Sequence, residues 1–281
     1  MGINRNEASI DTNIRVVPEF TIELHEKDLS TIKRIQSFFC GGTIKTRIRE
    51  GKPTVIYSVQ SIKNLTEIII PHFKQYALLT QKRADFELFA KAVDLMFNKE
   101  HLHLEGLKKI LSIRASMNKG LTETLKTMFP DIIPVERPIV DLQVIKNPLW
   151  LVGFVDGEGC FSVKLKKNKK IPQVLLAFSI SQHSRDANLL NIIKNYLECG
   201  IIERVSTRPN NVNFVVYKID DILGKIIPFF EKNHLFGVKL LDYKDFCKVA
   251  FLMKDKIHLT EKGVNQILKI KNEMNKQRKF K

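Results

Sequence analysis

The chain is expected to be an α+β protein made of two like units, each an antiparallel sheet with helices packed on it. Three observations carry that expectation. The sequence repeats itself at a nearly constant offset, each copy reads strand, helix, two strands, helices, and a 44% apolar content over 281 residues is enough to build real cores. FTIELHEKD (Phe20 to Asp28) returns as FSISQHSRD (Phe178 to Asp186), 158 residues on. IIIPHF (Ile68 to Phe73) returns as KIIPFF (Lys225 to Phe230), 157 residues on. Lys82 matches Lys239, His101 matches His258, Gly106 matches Gly263, and Met117-Asn118-Lys119 matches Met274-Asn275-Lys276.

Within each copy the elements follow from apolar periodicity and turn residues. Val16 to Leu24 and Val174 to Ser181 alternate in part and read as strands. The helical runs LSTIKRIQSFF and ANLLNIIKNYL follow, each ending near glycine, at Gly41-Gly42 and Gly200. Gly42 to Arg49 and Thr54 to Val59 form a hairpin around Glu50-Gly51-Lys52-Pro53; Ile201 to Ser206 and Val212 to Tyr217 form its counterpart around Arg208-Pro209-Asn210-Asn211. Asp85 to Met96, Leu104 to Met117, Asp245 to Met253 and Glu261 to Met274 have helical apolar spacing. Pro130, Pro134 and Pro138 mark an ordered linker, so the expected organisation is unit one over 1–128, linker over 129–146, unit two over 147–281.

A formal net charge of +16, from 46 basic and 30 acidic residues, points to a polyanionic partner. Nucleic acid comes first and an anionic membrane surface second. No apolar run is long enough to span a bilayer, so no membrane partner is expected. Cys40, Cys160, Cys199 and Cys247 lie far apart, without zinc-ligand or disulfide spacing. The first residues, MGINRNEASIDT, lack a signal-peptide core.

The strands look suited to a duplex. Lys45, Arg47 and Arg49 alternate and so share one sheet face; Lys164 and Lys166 do the same, with Lys167, Lys169 and Lys170 behind them. Arg15, Lys52, Arg204, Arg208, Asn210, Asn211 and Asn213 fall on or near the same strands and turns. A β-ribbon can enter a major groove, where such side chains read bases. A solvated basic face is the plain alternative. His25 and His183 recur in register without metal-ligand spacing and read as structural.

The most informative segment is Leu149 to Phe161, LWLVGFVDGEGCF. Asn147 suits an N-cap and Pro148 the first helical position. Gly153 and Gly157 lie four apart on one face, open to close approach by another backbone. Asp156 and Glu158 follow at the tip of an otherwise apolar helix, which is costly unless the carboxylates hold a metal or accept hydrogen bonds. Asp156, two residues from Glu158, is expected to cap or bond locally.

Leu151 to Gly159 resembles the LAGLIDADG motif of single-chain homing endonucleases and maturases, and the repeat extends the resemblance over almost the whole chain. It implies two α/β units related by a pseudo-twofold, each with a saddle-shaped antiparallel sheet facing DNA. It also implies that Glu158, with the Gly157 carbonyl, is one half of a Mg²⁺ site for phosphodiester hydrolysis. Lys82 and Lys239 fall where the family places a basic residue near the reacting phosphate, and Gln182 where some members place a polar residue that positions solvent; solvated helix lysines and an exposed strand glutamine remain the plain alternatives.

The repeat puts the first unit's own motif upstream of Met1. The expectation is therefore a nucleic-acid-binding relative, ancestrally a Mg²⁺-dependent, site-specific double-strand DNA endonuclease of intron homing, impaired in cutting by one missing acid. The alternative is a non-enzymatic RNA binder: an intron maturase or a component of an organellar ribonucleoprotein such as the ribosome. A protein or second chain is expected to cover the Gly153/Gly157 face. Family habit and Lys-, Asn- and Ile-rich usage suggest a mitochondrial origin, with plastid second.

Overall fold

The structure, a computed structural model, describes residues 14–140, 144–166, 172–204 and 206–278. It divides into two compact units, residues 1–141 and 142–281. In unit one the main elements are β1 (Phe20–His25), α1 (Leu29–Phe39), β2 (Thr43–Arg49), β3 (Lys52–Val59), α2 (Lys82–Phe97) and α3 (Leu104–Ala115). In unit two they are α4 (Pro148–Glu158), β4 (Gly159–Lys166), β5 (Gln173–His183), α5 (Ala187–Leu197), β6 (Ile201–Arg204), β7 (Asn211–Val216), α6 (Lys239–Lys254) and α7 (Glu261–Lys271). Both sheets are antiparallel, with orders β1-β3-β2 and β4-β5-β7-β6. No described helix is long and apolar enough to cross a membrane.

Each sheet buries one face under its helices. In unit one Val55, Tyr57 and Val59 of β3 pack with Ile32 and Phe39 of α1 and with Val93 of α2. In unit two Phe161, Phe178, Phe214, Phe230 and Phe246 are all fully buried, and Phe161 alone meets four other rings with centroids 5.1–5.6 Å away. Aromatic pairs at these separations add to the area they remove from water.

The duplication reaches backbone detail. The helices that follow β1 and β5, α1 and α5, each end on a residue of left-handed φ, Cys40 at 50° and Glu198 at 53°, followed two residues on by Gly42 and Gly200 at 79° and 83°. A Cβ on Gly42 would lie 2.6 Å from the Tyr57 ring, and one on Gly200 2.5 Å from Phe214, so glycine is demanded by conformation and by space alike. His25 and His183 each accept a hydrogen bond from the backbone N–H two residues on, at 3.2 Å, which fits their structural reading. Wide π turns, Leu65–Ile69 and Ile222–Ile226, precede Pro71 and Pro228. A proline ring clashes with the carbonyl four residues back, and a turn closed by an i→i+5 bond relieves that clash.

Several expected boundaries move, each for a local reason. β1 starts at Phe20 rather than Val16, beyond Pro18, and Val16 is buried in a separate cluster with Met96, Leu107 and Ile110. The β2–β3 turn is two residues long: Glu50 and Gly51 both have positive φ, 50° and 73°, as a primed hairpin turn requires. Lys52 and Pro53 are therefore strand residues opposite Arg49 and Ile48. Pro53 lies past the end of β1, where β3 has a neighbour on one side only and a missing N–H is tolerated.

The expected linker is held to unit one as far as residue 137. Phe129 and Ile132 pack on the Met96 cluster, Val135 N–H donates to the Ser112 carbonyl at 3.2 Å, and the Ser116 hydroxyl donates to the Val135 carbonyl. Arg137 donates to the buried Asp85 carboxylate at 2.7 Å and to the carbonyls of Ser116 and Gln81. Asp85 also accepts from Asn118 N–H at 3.0 Å. Unit two builds the same clamp from Asp242, the Asn275 N–H at 2.9 Å and Arg278, with Asp245 as a further acceptor. Burial alone would raise the Asp85 carboxyl, but the Arg137 guanidinium and the Asn118 N–H outweigh it and hold it below the ordinary value.

Two outcomes follow for stability. Gly106→Ala or Gly263→Ala should lower the melting temperature by several degrees, because each new Cβ would sit 1.9 Å from a backbone carbonyl, of Glu100 or Ile257; overpacking of this kind costs about 1–3 kcal/mol or more.

Arg137→Ala should cost roughly 2 kcal/mol at pH 7, read by denaturant unfolding. A carboxyl depressed in the folded state stabilises above its ordinary value of 3.8 and loses that contribution as pH falls below it. The difference between variant and wild type should therefore shrink below that pH, and a constant difference down to pH 2 would refute the clamp.

Candidate nucleic-acid interface and acidic helix tip

α4 forms as its residues dictate. Asn147 caps it by accepting from Leu149 N–H at 2.9 Å, and Pro148 takes the first position. Leu151, Val152 and Val155 are buried against unit two. Leu149, Gly153, Gly157 and Glu158 are exposed, and among the described residues nothing lies within 4 Å of a Cβ built on either glycine. Gly159 is different: its Cβ would meet Val155 at 2.6 Å, so glycine permits the sharp passage from α4 into β4.

Asp156 does not act locally, contrary to expectation. Its carboxylate accepts from the backbone N–H groups of Phe236 at 2.8 Å and Gly237 at 3.2 Å, eighty residues away. The bond ties the turn before α6 to the motif helix, and so sets where α6 begins.

The first residue of α6 is Lys239. Its ammonium donates to the Gly157 carbonyl at 3.2 Å and to the Gly159 carbonyl at 2.5 Å, the two carbonyls flanking Glu158. It is therefore no solvated helix lysine. Lys82, its repeat partner, starts α2, is exposed, and reaches the Asn118 side-chain oxygen at 3.4 Å. Asn118 and Asn275 occupy equivalent places after the Asp85 and Asp242 clamps, and Asn275 donates to the Phe161 carbonyl of β4 at 3.0 Å. The clamps thus fix loops that touch the surroundings of both lysines. Gln182 is half-buried near the end of β5, on the side that carries Val212 and the core, two residues beyond the Ile180–Gly159 pair where α4 enters the sheet. Among the described residues no group of three or more His, Cys, Asp or Glu side chains gathers in one place. What the tip offers a cation is oxygen: the Glu158 carboxylate and the Gly157 carbonyl, the latter already accepting from the Lys239 ammonium. Those donors suit a hard divalent ion such as Mg²⁺.

The face of each sheet opposite the core carries most of the expected contact residues. In unit one Lys45, Arg47, Arg49 and Lys52 lie on it and are exposed. Glu23 of β1, which the sequence reading did not single out, lies on the same face, level with Ile56 of β3 and Lys45 of β2. Arg47 grips Glu23 through Nε at 3.3 Å and Nη2 at 2.8 Å, and Arg49 adds Nη1 at 2.9 Å. The Arg47 guanidinium first, with Thr54 and Arg49 helping, holds the Glu23 carboxyl below the usual carboxylate range. Only the strand order reveals this: β1 and β2 are not neighbours, and the arginines reach across β3.

In unit two Lys164 and Lys166 are exposed on the open face of the edge strand β4. Asn213 is on the open face of β7 and accepts from the Ser181 hydroxyl at 2.7 Å. Arg208 and Asn210 are exposed in the β6–β7 turn, where the Asn210 carbonyl accepts from Ser184 N–H. Two expected residues do not join these faces. Arg204 pairs with Val212, whose side chain is in the core, so Arg204 projects to the other side of the sheet. Arg15 is exposed but lies five residues before β1, off the sheet. Lys167, with Lys169 and Lys170, lies outside the described residues.

Comparison with known proteins agrees with this fold. The family model described as LAGLIDADG endonuclease matches twice, over residues 2–93 and 151–250. Two proteins of Neurospora crassa are similar: "Probable intron-encoded endonuclease 2", 41% identical with 92% of this chain and 58% of the relative covered, and "Probable intron-encoded endonuclease 3", 40% identical with 89% and 47% covered. The chain thus spans about half the length of the curated relatives it matches. Among solved structures, the I-SmaMI LAGLIDADG homing endonuclease bound to cleaved DNA superposes with a TM-score of 0.93 at 42% identity, covering 99% of this chain and 92% of that one. The same endonuclease bound to uncleaved DNA with calcium gives 0.91 at 42% identity, covering 97% and 92%. With its two sheet-and-helix units, each matched by the same model, the chain belongs to the LAGLIDADG endonuclease family.

Proposed function

We infer that the chain is the recognition body, and one catalytic half, of a site-specific double-strand DNA endonuclease that serves intron homing. The observation that carries this reading is the helix tip. Glu158 stands exposed at the end of α4, and the ammonium of Lys239 is bonded to the two carbonyls beside it. A carboxylate and a fixed positive charge at one point are what a phosphate under attack needs nearby. The DNA-bound structures of similar chains support duplex DNA as the partner.

In this reading Glu158 and the Gly157 carbonyl would hold Mg²⁺, and Lys239 would neutralise charge on a phosphate oxygen. A bound divalent ion supplies Lewis acidity and a more acidic water. Gln182 would orient solvent from the end of β5, and Lys82 would serve the other strand's phosphate as Lys239 serves its own. Cutting both strands calls for two such acids. Glu158 is one of them, and the second would come from another helix tip of the same kind. That helix is also the natural cover for the open Gly153/Gly157 face. Intron-encoded fungal relatives and the Lys-, Asn- and Ile-rich composition support a mitochondrial origin. The sheet faces favour DNA over RNA: a β-ribbon fits the B-form major groove, whereas the A-form major groove is too deep and narrow for side chains to read.

Cleavage tests the catalytic half. Against a library of duplex targets with Mg²⁺, the 281-residue chain should cut slowly or not at all, and fusing a second motif helix before Gly2 should bring cutting in. In that fusion Glu158→Gln and Lys239→Met should each lower the rate by about a hundredfold or more with little change in binding. Cutting by the fusion that survives Glu158→Gln would refute the assignment.

Binding tests the recognition body. Lys45→Ala with Lys52→Ala should weaken duplex binding across sequences and reduce the salt slope by roughly one unit for each phosphate left unneutralised. An unchanged slope, or tighter binding to a structured RNA competitor, would argue against the DNA reading.

A further inference from the structure

Glu23 is out of place on a surface meant for DNA. It puts a carboxylate where a polyanion is to lie, on the same open face of unit one as four basic residues. Left alone it would repel phosphate and weaken binding. It is not left alone, since Arg47 and Arg49 both reach over β3 to it, Arg47 in a two-point grip. Its side chain is 22% exposed beneath the two guanidinium groups, which are 52% and 56% exposed.

The arrangement has two consequences. The first is charge: Arg47, Arg49 and Glu23 together carry one net positive charge instead of the two the arginines would carry alone, so less is available for unspecific attraction to phosphates. The second is orientation. Arg47 uses Nε and one Nη2 proton on Glu23, which leaves the Nη1–Nη2 end of its fork uncommitted on a side chain that is half exposed. That end is the pair of parallel donors that matches guanine O6 and N7 in the major groove. A free arginine must give up its rotamer freedom on binding, and this one has already been ordered by the protein. At the equivalent place in unit two, 158 residues on from Glu23, stands Ser181, bonded to Asn213.

We propose that Glu23 is a specificity-determining positioning residue, which clamps Arg47 and Arg49 so that Arg47 reads a guanine and which cancels charge that would otherwise hold any sequence. The proposal rests on the DNA-binding reading above.

The test selects binding sites from a random-sequence duplex library with the 281-residue chain and with Glu23→Gln, Arg47→Ala, Arg47→Lys and the double variant Glu23→Gln/Arg47→Ala. Selected and random duplexes are then titrated across a salt series. The wild-type consensus should hold a guanine that Glu23→Gln and Arg47→Ala both lose, and the double variant should lose no more than Arg47→Ala alone. Glu23→Gln should bind random duplex more tightly at low salt, with a slope steeper by about one unit, and discriminate at that base pair about tenfold less. Arg47→Lys keeps the charge without the fork, so it should lose the guanine and leave the slope unchanged. It decides the matter should Glu23→Gln fold poorly. A retained guanine and an unchanged slope in Glu23→Gln, or a guanine retained in Arg47→Lys, overturns the proposal and leaves the DNA reading standing. Failure of the wild-type chain to enrich any duplex removes that reading and the proposal with it.

Discussion

Burial of one face of each sheet fixes nearly every other position in the molecule. Val55, Tyr57 and Val59 go under α1 and α2, and Phe178, Ile180 and Phe214 go into the aromatic core of unit two. Because side chains alternate along a strand, this burial determines which residues face outward. A one-residue slip would send Tyr57 or Phe214 into water and bring Arg47 or Asn213 into the core. Such a slip would cost far more than any surface contact could return. The register that places Lys45, Arg47, Arg49 and Lys52 on one open face is thus enforced from the other side of the sheet.

The helix tip depends on the same core by another route. α4 is apolar except for Asp156 and Glu158 at its tip; its buried side holds it to unit two, and Gly159 lets the chain leave it at once into β4, the strand that carries Phe161. Glu158 is therefore held between a packed helix and a packed strand. Asp156 then brings in a segment far away in sequence. By accepting the N–H groups of Phe236 and Gly237 it sets the start of α6, and Lys239 follows two residues later with its ammonium on the carbonyls beside Glu158. A carboxylate with fixed donors repays its own desolvation, and here it also positions a second charged group.

What the sequence made legible was what short-range chemistry controls. The boundaries of α1 and α5, the Asn147 cap and the alternation of β2 and β4 all follow from neighbours within a few residues. The repeat also announced itself, since its matches sit at places where the backbone needs one residue type, such as Gly42 with Gly200 and Gly106 with Gly263. The misreadings are long-range or ambiguous. In Ile201-Ile202 two adjacent apolar residues leave the facing of β6 undecided, and only pairing with β7 shows Arg204 on the core side. Glu23 gained its meaning from strand order, and Asp156 from a contact eighty residues away. Arg15 was misplaced because Pro18 postpones the strand.

The two units show how duplication and divergence can coexist in a chain this strongly patterned. Their buried halves repeat down to left-handed residues, π turns before proline and an aspartate–asparagine–arginine clamp. Even there the arginine is not the repeated part: Arg137 comes 52 residues after Asp85, Arg278 only 36 after Asp242. A buried carboxylate demands a cation, and the demand does not specify which stretch of chain must bring it. The open faces share almost nothing. Where unit one has Lys45, unit two has Glu203, bonded by the Tyr217 hydroxyl; where unit one has Glu23 under two arginines, unit two has Ser181 with Asn213. Alternation along the strand is what permits this, because the residues that hold the fold and the residues that meet a partner lie on opposite sides of the same backbone. One face could keep its volume and apolarity while the other changed its charge, so the two units came to carry one architecture and two different surfaces.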